Sequence, residues 1–118
     1  MPLTKDQKRE RVQYLKQITD AYASGVTAEE LSKTVPTLIN RFSFRNCCLI
    51  LAQRPNAIEC AGFHEWSKAG RKVSKGAKGI AILVPMTKKK DDGDDSLWFS
   101  WRYVYDIADT EEVKEKVA

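Results

Sequence analysis

The chain has 118 residues, a net charge of +4 and a charged fraction of 31%, and these totals favour a single domain with one core. No apolar run approaches the ~18 to 20 residues of a membrane span, and the basic start lacks the apolar segment of a secretory signal. Three cysteines without the spacing of a disulfide framework fit a reducing compartment. We therefore expect a cytoplasmic protein with no membrane partner.

Cations are concentrated in the middle of the sequence. The net charge divides into +1 for residues 1–37, +9 for residues 38–90 and −6 for residues 91–118. A basic block of this kind predicts a polyanionic partner. The alternative is a solvated surface with local acid–base pairing.

The first third of the sequence predicts two helices. Thr4 and Gln7 form a capping-box pattern, and apolar residues at helical spacing then predict a helix over residues 5–23. Thr27 begins a second capping pattern, which predicts a short helix to about Lys33.

A third helix is predicted between Pro36 and Gln53, because Pro36 suits a first helical position and Pro55 lies just past the end. Its many apolar residues predict that it is the central helix of the core. Arg41 and Arg45 are then a helical turn apart on one helix.

The second half of the chain predicts a small sheet. The pattern favours a short strand over residues 56–61, a short helix over 63–69, and strands over 71–74 and 79–85 joined through a glycine-rich turn. The clearest strand covers residues 97–106. The predicted fold class is α+β, with N-terminal helices packed on a small, mainly antiparallel β-sheet.

The strand over residues 97–106 has two different faces. Its odd positions are all apolar or aromatic, which predicts a core face that includes Trp101. Its even positions are mixed, with Trp98 beside Arg102. A polar connector before the strand predicts a hairpin loop, and Asp109 is a candidate cap for a final short helix.

The stretch GRKVSKGAKGIAILVP, residues 70–85, combines cations with glycines. A strand rather than a helix follows the glycines, which excludes a Walker A loop, and predicted strands on both sides argue against a KH domain despite the GxxG of residues 76–79. Glycines still permit close approach of a phosphate backbone, and the alternative is an ordinary hairpin turn with solubilising lysines. The cations that project from this stretch are Arg71, Lys72, Lys75 and Lys78.

Aromatic residues flank these cations. Single-stranded nucleic acid is bound by cations that follow phosphates and by aromatic rings that stack on bases. Trp98 is the better stacking candidate because it lies opposite the predicted core face, and Trp66 on the short helix is either a second candidate or part of the core.

The sequence gives little support for catalysis. His64 is the single histidine, and the HE pair that it begins lacks the second histidine of a zinc-protease helix. Cys47, Cys48 and Cys60 are expected to be buried free thiols rather than metal ligands. We therefore predict a non-enzyme with no cofactor and no metal.

Taken in order, these motifs resemble the N-terminal domain of ArdC-like antirestriction proteins. The family pattern has an Asn in a helix, Gln-x-Pro, a Trp, G-R-x-V-x-K-G-x-K-G-I, an apolar strand ending in Pro, and aromatic-Asp-Ile-x-x-Thr. The matching positions are Asn46, Gln53, Pro55, Trp66, Gly70, Arg71, Val73, Lys75, Gly76, Lys78, Gly79, Ile80, Pro85, Tyr105, Asp106, Ile107 and Thr110. Tyr105 stands where the family typically has Phe, and Asp109 stands where a Gln is frequent.

The resemblance covers residues 38–112 of a single domain, 1–118, with residues 1–37 as a helical N-terminal extension. It implies a non-catalytic single-stranded-DNA-binding module of bacterial mobile elements such as plasmids, phages and genomic islands. The implied process is DNA replication, conjugative transfer or antirestriction. The metalloprotease half of many relatives, with its H-E-x-x-H, is not found in this sequence.

We therefore hypothesise that the chain binds single-stranded DNA with weak sequence specificity. A slope of log K on log salt of about −2 to −4 would correspond to three to five phosphate contacts at ~0.7 each. The alternative is an interaction module whose basic surface docks onto a polymerase, primase or nuclease of the same element, and both can hold together. The predicted DNA-binding residues are Arg41, Arg45, Trp66, Arg71, Lys72, Lys75, Lys78, Trp98 and Arg102.

Overall fold

The computed structural model describes residues 2–89 and 95–113. The predicted α+β class is confirmed, with five helices and two antiparallel sheets in this part of the chain. The tip of the predicted hairpin loop, residues 90–94, lies outside the described residues. The helices are α1 (Lys5–Ala23), α2 (Ala28–Thr34), α3 (Pro36–Arg41), α4 (Phe44–Gln53) and α5 (Phe63–Lys68). The strands are β1 (Cys60–Ala61), β2 (Arg71–Val73), β3 (Ile80–Lys89), β4 (Asp95–Asp106) and β5 (Thr110–Glu112).

The first two helices form as the capping patterns predict. The Thr4 hydroxyl accepts the Gln7 N–H, and the Gln7 side chain accepts the Thr4 N–H at 2.9 Å, which completes the capping box of α1. The Thr27 hydroxyl accepts the N–H of Glu30 and begins α2. These side chains satisfy backbone groups that a helix start otherwise leaves unpaired.

The prediction of one helix from residue 36 to residue 53 is wrong, because the chain breaks between α3 and α4. Phe42 is extended, and the Ser43 hydroxyl accepts the N–H of Asn46 at 3.2 Å to begin α4. Arg41 therefore ends one helix while Arg45 lies in the first turn of the next, so they are not neighbours on a single helix.

The strands on either side of the glycine-rich turn belong to different sheets. β3 pairs with β4 from Ile80↔Val104 to Lys89↔Asp95, and β1 covers the other edge of β4 at residues 105–106. β2 instead pairs with β5, in the register Val73↔Thr110. The turn is therefore a crossover between two sheets and not a hairpin turn. The prediction that Asp109 caps a short final helix is wrong, since residues 107–109 form one 3₁₀ turn and β5 follows.

Helix α4 covers the outer edge of β3 through two side-chain amides. The Asn46 amide donates to the carbonyl of Leu83 and accepts its N–H, both at 2.9 Å. The Gln53 amide does the same at Ala81, at 2.8 and 2.9 Å. The two amides are seven residues, or two helical turns, apart and so lie on the same face of α4. We refer to these four hydrogen bonds as the amide clamp.

The core lies around α4. One buried cluster joins α4 to α2, α3, Ile80 and Val104, and a smaller one joins Leu49 of α4 to Leu15 of α1 and Ala81 of β3. Only the part of α1 around Leu15 and Ile18 packs against this second cluster. The prediction that the odd positions of β4 form a core face is therefore only partly right, because Leu97, Phe99 and Tyr103 remain exposed.

The three cysteines are free, and each is buried as predicted. Burial raises the pKa of the Cys47 thiol to about 11. Burial and the neighbouring Asp106 carboxylate together raise the pKa of the Cys60 thiol to about 12. The neutral thiol is therefore the form that the folded core accommodates.

The amide clamp yields a first stability prediction. Asn46→Ala removes both hydrogen bonds to Leu83 and should lower the free energy of unfolding by about 2 kcal/mol, since each bond contributes ~1 kcal/mol. Asn40→Ala on the exposed end of α3 is the matched control and should change stability by less than ~0.5 kcal/mol. Urea unfolding measures both. Equal stabilities of the two variants would show that the amide clamp does not hold the β3–β4 hairpin against α4.

The thiols yield a second prediction. The unfolded chain releases thiol protons from about pH 8.5 upward, whereas the folded chain keeps them until their raised pKa values. The contribution of the neutral thiols to the stability of the fold is thus complete below about pH 8.5 and is lost as the pH rises towards 11 to 12. Each thiol should contribute a fall of about 1.4 kcal/mol per pH unit across this window. Cys60→Ala removes one of these thiols, so the free energy of unfolding should fall less steeply with pH, by the contribution of one thiol. Urea unfolding under reducing conditions measures the slope, and an unchanged slope would contradict this account.

Candidate nucleic-acid interface

Strand β2 and the crossover that leads from it to β3 together form a short cationic segment, residues 71–79, which we call the basic turn. Gly76 has a φ of +85°, a conformation that glycine adopts without steric cost, and the Ala77 N–H closes the turn on the Ser74 carbonyl at 3.1 Å. The Ser74 N–H donates to the Asp109 carbonyl at 2.8 Å, which ties the turn to the 3₁₀ turn that precedes β5. The backbone therefore holds the turn in place while its lysines point outward.

Three lysines of the basic turn have no carboxylate partner among the described residues. Lys72, Lys75 and Lys78 are exposed, and none of them forms an ion pair within residues 2–89 and 95–113. Their charge is thus exposed to solvent in the described structure.

An aromatic ring lies directly against the end of the basic turn. A Cβ at Gly79 would lie 2.8 to 2.9 Å from the Tyr103 side chain, so this glycine permits the ring to rest on the backbone beside Lys78. The Tyr103 side chain is nonetheless 49% exposed, and its hydroxyl accepts the indole N–H of Trp101 at 3.2 Å. A half-exposed ring therefore lies next to Lys78, which has no ion-pair partner among the residues that the structure describes.

Tyr103 is one end of a row of side chains on one face of β4, which we call the aromatic strip and define as Leu97, Phe99, Trp101 and Tyr103. Alternate residues of a strand lie about 6.7 Å apart on one face, so the strip is about 20 Å long. Leu97 is 64% exposed and Phe99 is 38% exposed, whereas Trp101 is partly covered by α1. The strip is an accessible stacking surface.

One cation of α1 already lies over this surface. The Lys16 ammonium is 4.6 Å from the centroid of the Phe99 ring. An exposed cation–π contact contributes ~0.5 to 1 kcal/mol, whereas stacking of a base on an aromatic ring contributes ~1 to 3 kcal/mol. A base can therefore displace the ammonium, which is then free to pair with a phosphate.

Three of the four arginines predicted as DNA-binding residues, Arg41, Arg45 and Arg71, have partners within the fold. Arg41 pairs with Glu65 of α5, and Arg45 pairs with Asp20 of α1. Both pairs are largely exposed, and pairs of this kind contribute only ~0 to 1 kcal/mol, so a phosphate can compete for either arginine.

Arg71 is held more firmly. Its Nε donates to the Thr110 hydroxyl at 2.7 Å and its Nη2 donates to the Thr110 carbonyl at 3.2 Å, which joins β2 to β5. Its guanidinium also lies 3.8 Å from the Glu112 carboxylate. Arg71 therefore holds the base of the basic turn in place.

The two predicted tryptophans are in different environments. Trp66 is only 4% exposed, and its indole N–H donates to the Tyr105 carbonyl at 2.8 Å, so its ring is part of the core. Trp98 is 45% exposed on the other face of β4 from the aromatic strip, opposite Met86. Arg102 is exposed on the same face as Trp98, about 13 Å along the strand. The structure thus places Trp98 and Arg102 on one face and the aromatic strip on the other.

Sequence reasoning missed Phe99 and Tyr103 as candidate ligand contacts, because an unbroken apolar stripe on a strand is ordinarily a core face. A signal was nonetheless present. The first turns of α1 carry Lys5, Lys8 and Arg9, and the residues of α1 that pack on β4 begin only near Leu15. A helix with so short an apolar segment cannot cover the whole stripe.

Several motif residues have structural roles. Asp106 is buried, and one oxygen accepts the N–H groups of Ile58 and Glu59 at 2.8 and 3.2 Å while the other accepts the N–H of Ala108 at 3.1 Å. Asp109 pairs with Arg54. Together with the amide clamp and the hydrogen bonds of Arg71, these contacts give most polar positions of the family motif a role in stabilising the fold. Lys75 and Lys78 are the polar motif positions for which the described structure shows no folding role.

The described residues contain no group of three or more His, Cys, Asp and Glu side chains arranged to hold a metal ion. Within the same part of the chain, no helix has the length and apolar character needed to cross a membrane.

Comparisons with known proteins agree with the sequence motifs. A family model described as the N-terminal domain of anti-restriction factor ArdC matches residues 12–118, which confirms the predicted family. An uncharacterized protein of Bacillus anthracis is 34% identical over 93 residues, or 75% of this chain and 16% of that protein. The metal-free crystal structure of the antirestriction protein ArdC from plasmid R388 has a similar fold, with a TM-score of 0.51 at 15% identity. The alignment covers 86% of this chain and 42% of that one, so the chain spans less than half the length of either protein.

The contact between Gly79 and Tyr103 yields a third prediction. Gly79→Ala should destabilise the fold by about 1 to 3 kcal/mol, because the added methyl meets the ring. The same change in a Tyr103→Ala background should cost much less, and the difference is the coupling energy of the pair. Gly25→Ala is the control, since its Cβ would meet only the Tyr22 carbonyl at 3.8 Å. Thermal or urea unfolding measures all four variants, and equal costs of Gly79→Ala in both backgrounds would rule out the contact.

Proposed function

The chain belongs to the family of N-terminal domains of the anti-restriction factor ArdC, and we propose that it is a single-stranded-DNA-binding module of a mobile genetic element. The observation that carries the proposal is the placement of the half-exposed Tyr103 ring against Gly79, beside lysines that have no ion-pair partner among the described residues. Such pairing of a stacking surface with cations is the usual basis of single-strand binding.

Each part of the interface has a separate task. Lys72, Lys75 and Lys78 neutralise phosphates at the basic turn, while Tyr103 and the rest of the aromatic strip stack on bases. Every base has a flat aromatic face, so stacking tolerates any sequence. A duplex keeps its bases stacked on one another, so it gains only the phosphate contacts. The expected ligand is therefore a single strand, bound with weak sequence preference and strong salt dependence.

The other face of β4 and the engaged arginines extend the proposal. Trp98 and Arg102 form a smaller aromatic and cationic surface there, and Arg41 and Arg45 join the interface if phosphates replace their exposed carboxylate partners. Trp66 and Arg71 contribute by holding the fold around the basic turn, because the contacts of both side chains are internal.

Binding of this kind requires no nucleophile, no proton transfer and no metal. We propose a non-catalytic role in the cytoplasm, in antirestriction or in the replication or transfer of the element's DNA. The name of the family points to antirestriction. A polymerase, primase or nuclease of the same element is a further partner to which the bound strand can be delivered.

The fourth prediction tests the basic turn. Lys75→Glu and Lys78→Glu should each lower the affinity for an oligonucleotide of about 20 nucleotides by roughly fivefold or more at about 0.1 M salt, because each phosphate contact contributes ~0.7 to the salt slope. Lys33→Glu on α2 changes the net charge equally and should have little effect, since Lys33 is exposed, pairs with Glu29 and lies outside the basic turn. Fluorescence anisotropy at two salt concentrations measures all three variants.

The same titration with single and double strands tests the ligand class. Preference of the unaltered protein for the single strand supports the proposal. Equal and feeble binding to both strands, or equal losses in all three variants, would contradict it and would favour a protein partner for the basic surface.

A further inference from the structure

The first half of α1 and the outer half of β4 enclose a groove of about 1070 Å³, which we call the α1–β4 groove. One wall is helical and the other is the exposed end of the aromatic strip. The lining residues are Lys5, Lys8, Arg9, Val12, Gln13, Lys16, Leu97, Trp98, Phe99, Ser100 and Trp101.

The lining of the groove is strongly one-sided in charge. Among the described residues that line it, four side chains are cationic and none is a carboxylate. Lys16 lies over the Phe99 ring at 4.6 Å, so cation and aromatic face are already in contact across the groove. A polyanion with flat aromatic groups matches both walls.

The cations in the first turns of α1 do not stabilise this helix. Lys5, Lys8 and Arg9 lie in its first two turns, where the helix dipole is already positive, and its last turn has no basic residue. Arg9 pairs with Asp6 at 4.0 Å, and both side chains of this pair are almost fully exposed. Folding therefore gains little from these three charges.

The same three cations lie outside the part of the chain that matches the family. The match begins at residue 12, within α1, whereas Lys5, Lys8 and Arg9 precede it. The family match therefore assigns no role to these three cations.

We propose that the α1–β4 groove is a second contact site for the same single strand, so this inference rests on the proposed function. Phosphates pair with Lys5, Lys8, Arg9 and Lys16, and bases stack on Phe99 and Trp101. The aromatic strip connects this site with the basic turn, because Tyr103 lies at the turn and Leu97 lies at the groove. The bound DNA strand therefore follows β4 for about 20 Å.

The experiment compares three double variants, each of which loses two positive charges. They are Lys5→Gln with Lys8→Gln in the groove, Lys75→Gln with Lys78→Gln in the basic turn, and Arg11→Gln with Lys33→Gln as the control. Arg11 is a suitable control residue because it lies over Tyr14 and does not line the groove. Glutamine keeps the helix propensity of lysine, so α1 should remain folded, and circular dichroism checks this.

The groove variant should bind a single strand of about 20 nucleotides roughly 25-fold more weakly at about 0.1 M salt, with a salt slope shallower by about 1.4. The control should bind like the unaltered protein. Ultraviolet cross-linking of the unaltered protein to a thymine oligonucleotide should place an adduct on the peptide that contains Phe99 and Trp101.

Other outcomes overturn the inference in distinguishable ways. If the groove variant binds like the control while the basic-turn variant binds weakly, the groove is not a contact site and the proposed function still stands. If the unaltered protein binds no single strand, both fail. If an acidic peptide of about 12 residues binds the groove more tightly than the oligonucleotide does, the groove is a peptide site and the inference is wrong.

Discussion

The side-chain amides of Asn46 and Gln53 form hydrogen bonds with backbone N–H and C=O groups of β3 that an edge strand otherwise leaves unpaired. By pairing with Leu83 and Ala81, they bind α4 to β3 without a further strand and fix the position of the hairpin relative to the helices. They also cap part of an edge that could pair with another chain. The orientation of β4 follows from this contact, because β4 is held to β3 by a continuous antiparallel ladder.

With the hairpin fixed in this way, the length of the apolar segment of α1 decides which part of β4 is covered. Leu15 and Ile18 pack near Ala81 and Trp101, whereas the first turns of the helix present cations to the outer half of the strand. Exposed aromatic residues in a row commonly mark a binding surface. Cations at a helix start oppose the dipole by ~0.3 to 1 kcal/mol each. Both features disfavour folding slightly, and both suit a nucleic-acid ligand.

The basic turn separates residues that hold its backbone in place from residues that remain exposed to solvent. Gly76 supplies a left-handed backbone conformation, Gly79 admits the Tyr103 ring, and Arg71 ties the turn to Thr110. Lys75 and Lys78 are left exposed on this frame. A motif of this composition therefore combines a rigid backbone with mobile charges, and rigidity of the frame reduces the entropy lost on binding.

The sequence by itself determined the helices α1 and α2, the strand β4, the α+β class, the family and the lysines of the basic turn. Each of these depends on signals between residues close in the chain, such as a capping box, an alternation or an ordered motif. Tertiary structure alone decided the break before Ser43, the pairing of β2 with β5 and the internal contacts of Arg41, Arg45 and Trp66. It also decided that α1 leaves Leu97, Phe99 and Tyr103 of the aromatic strip exposed. Which surface is covered depends on the lengths and angles of elements far apart in sequence, and no local pattern encodes those.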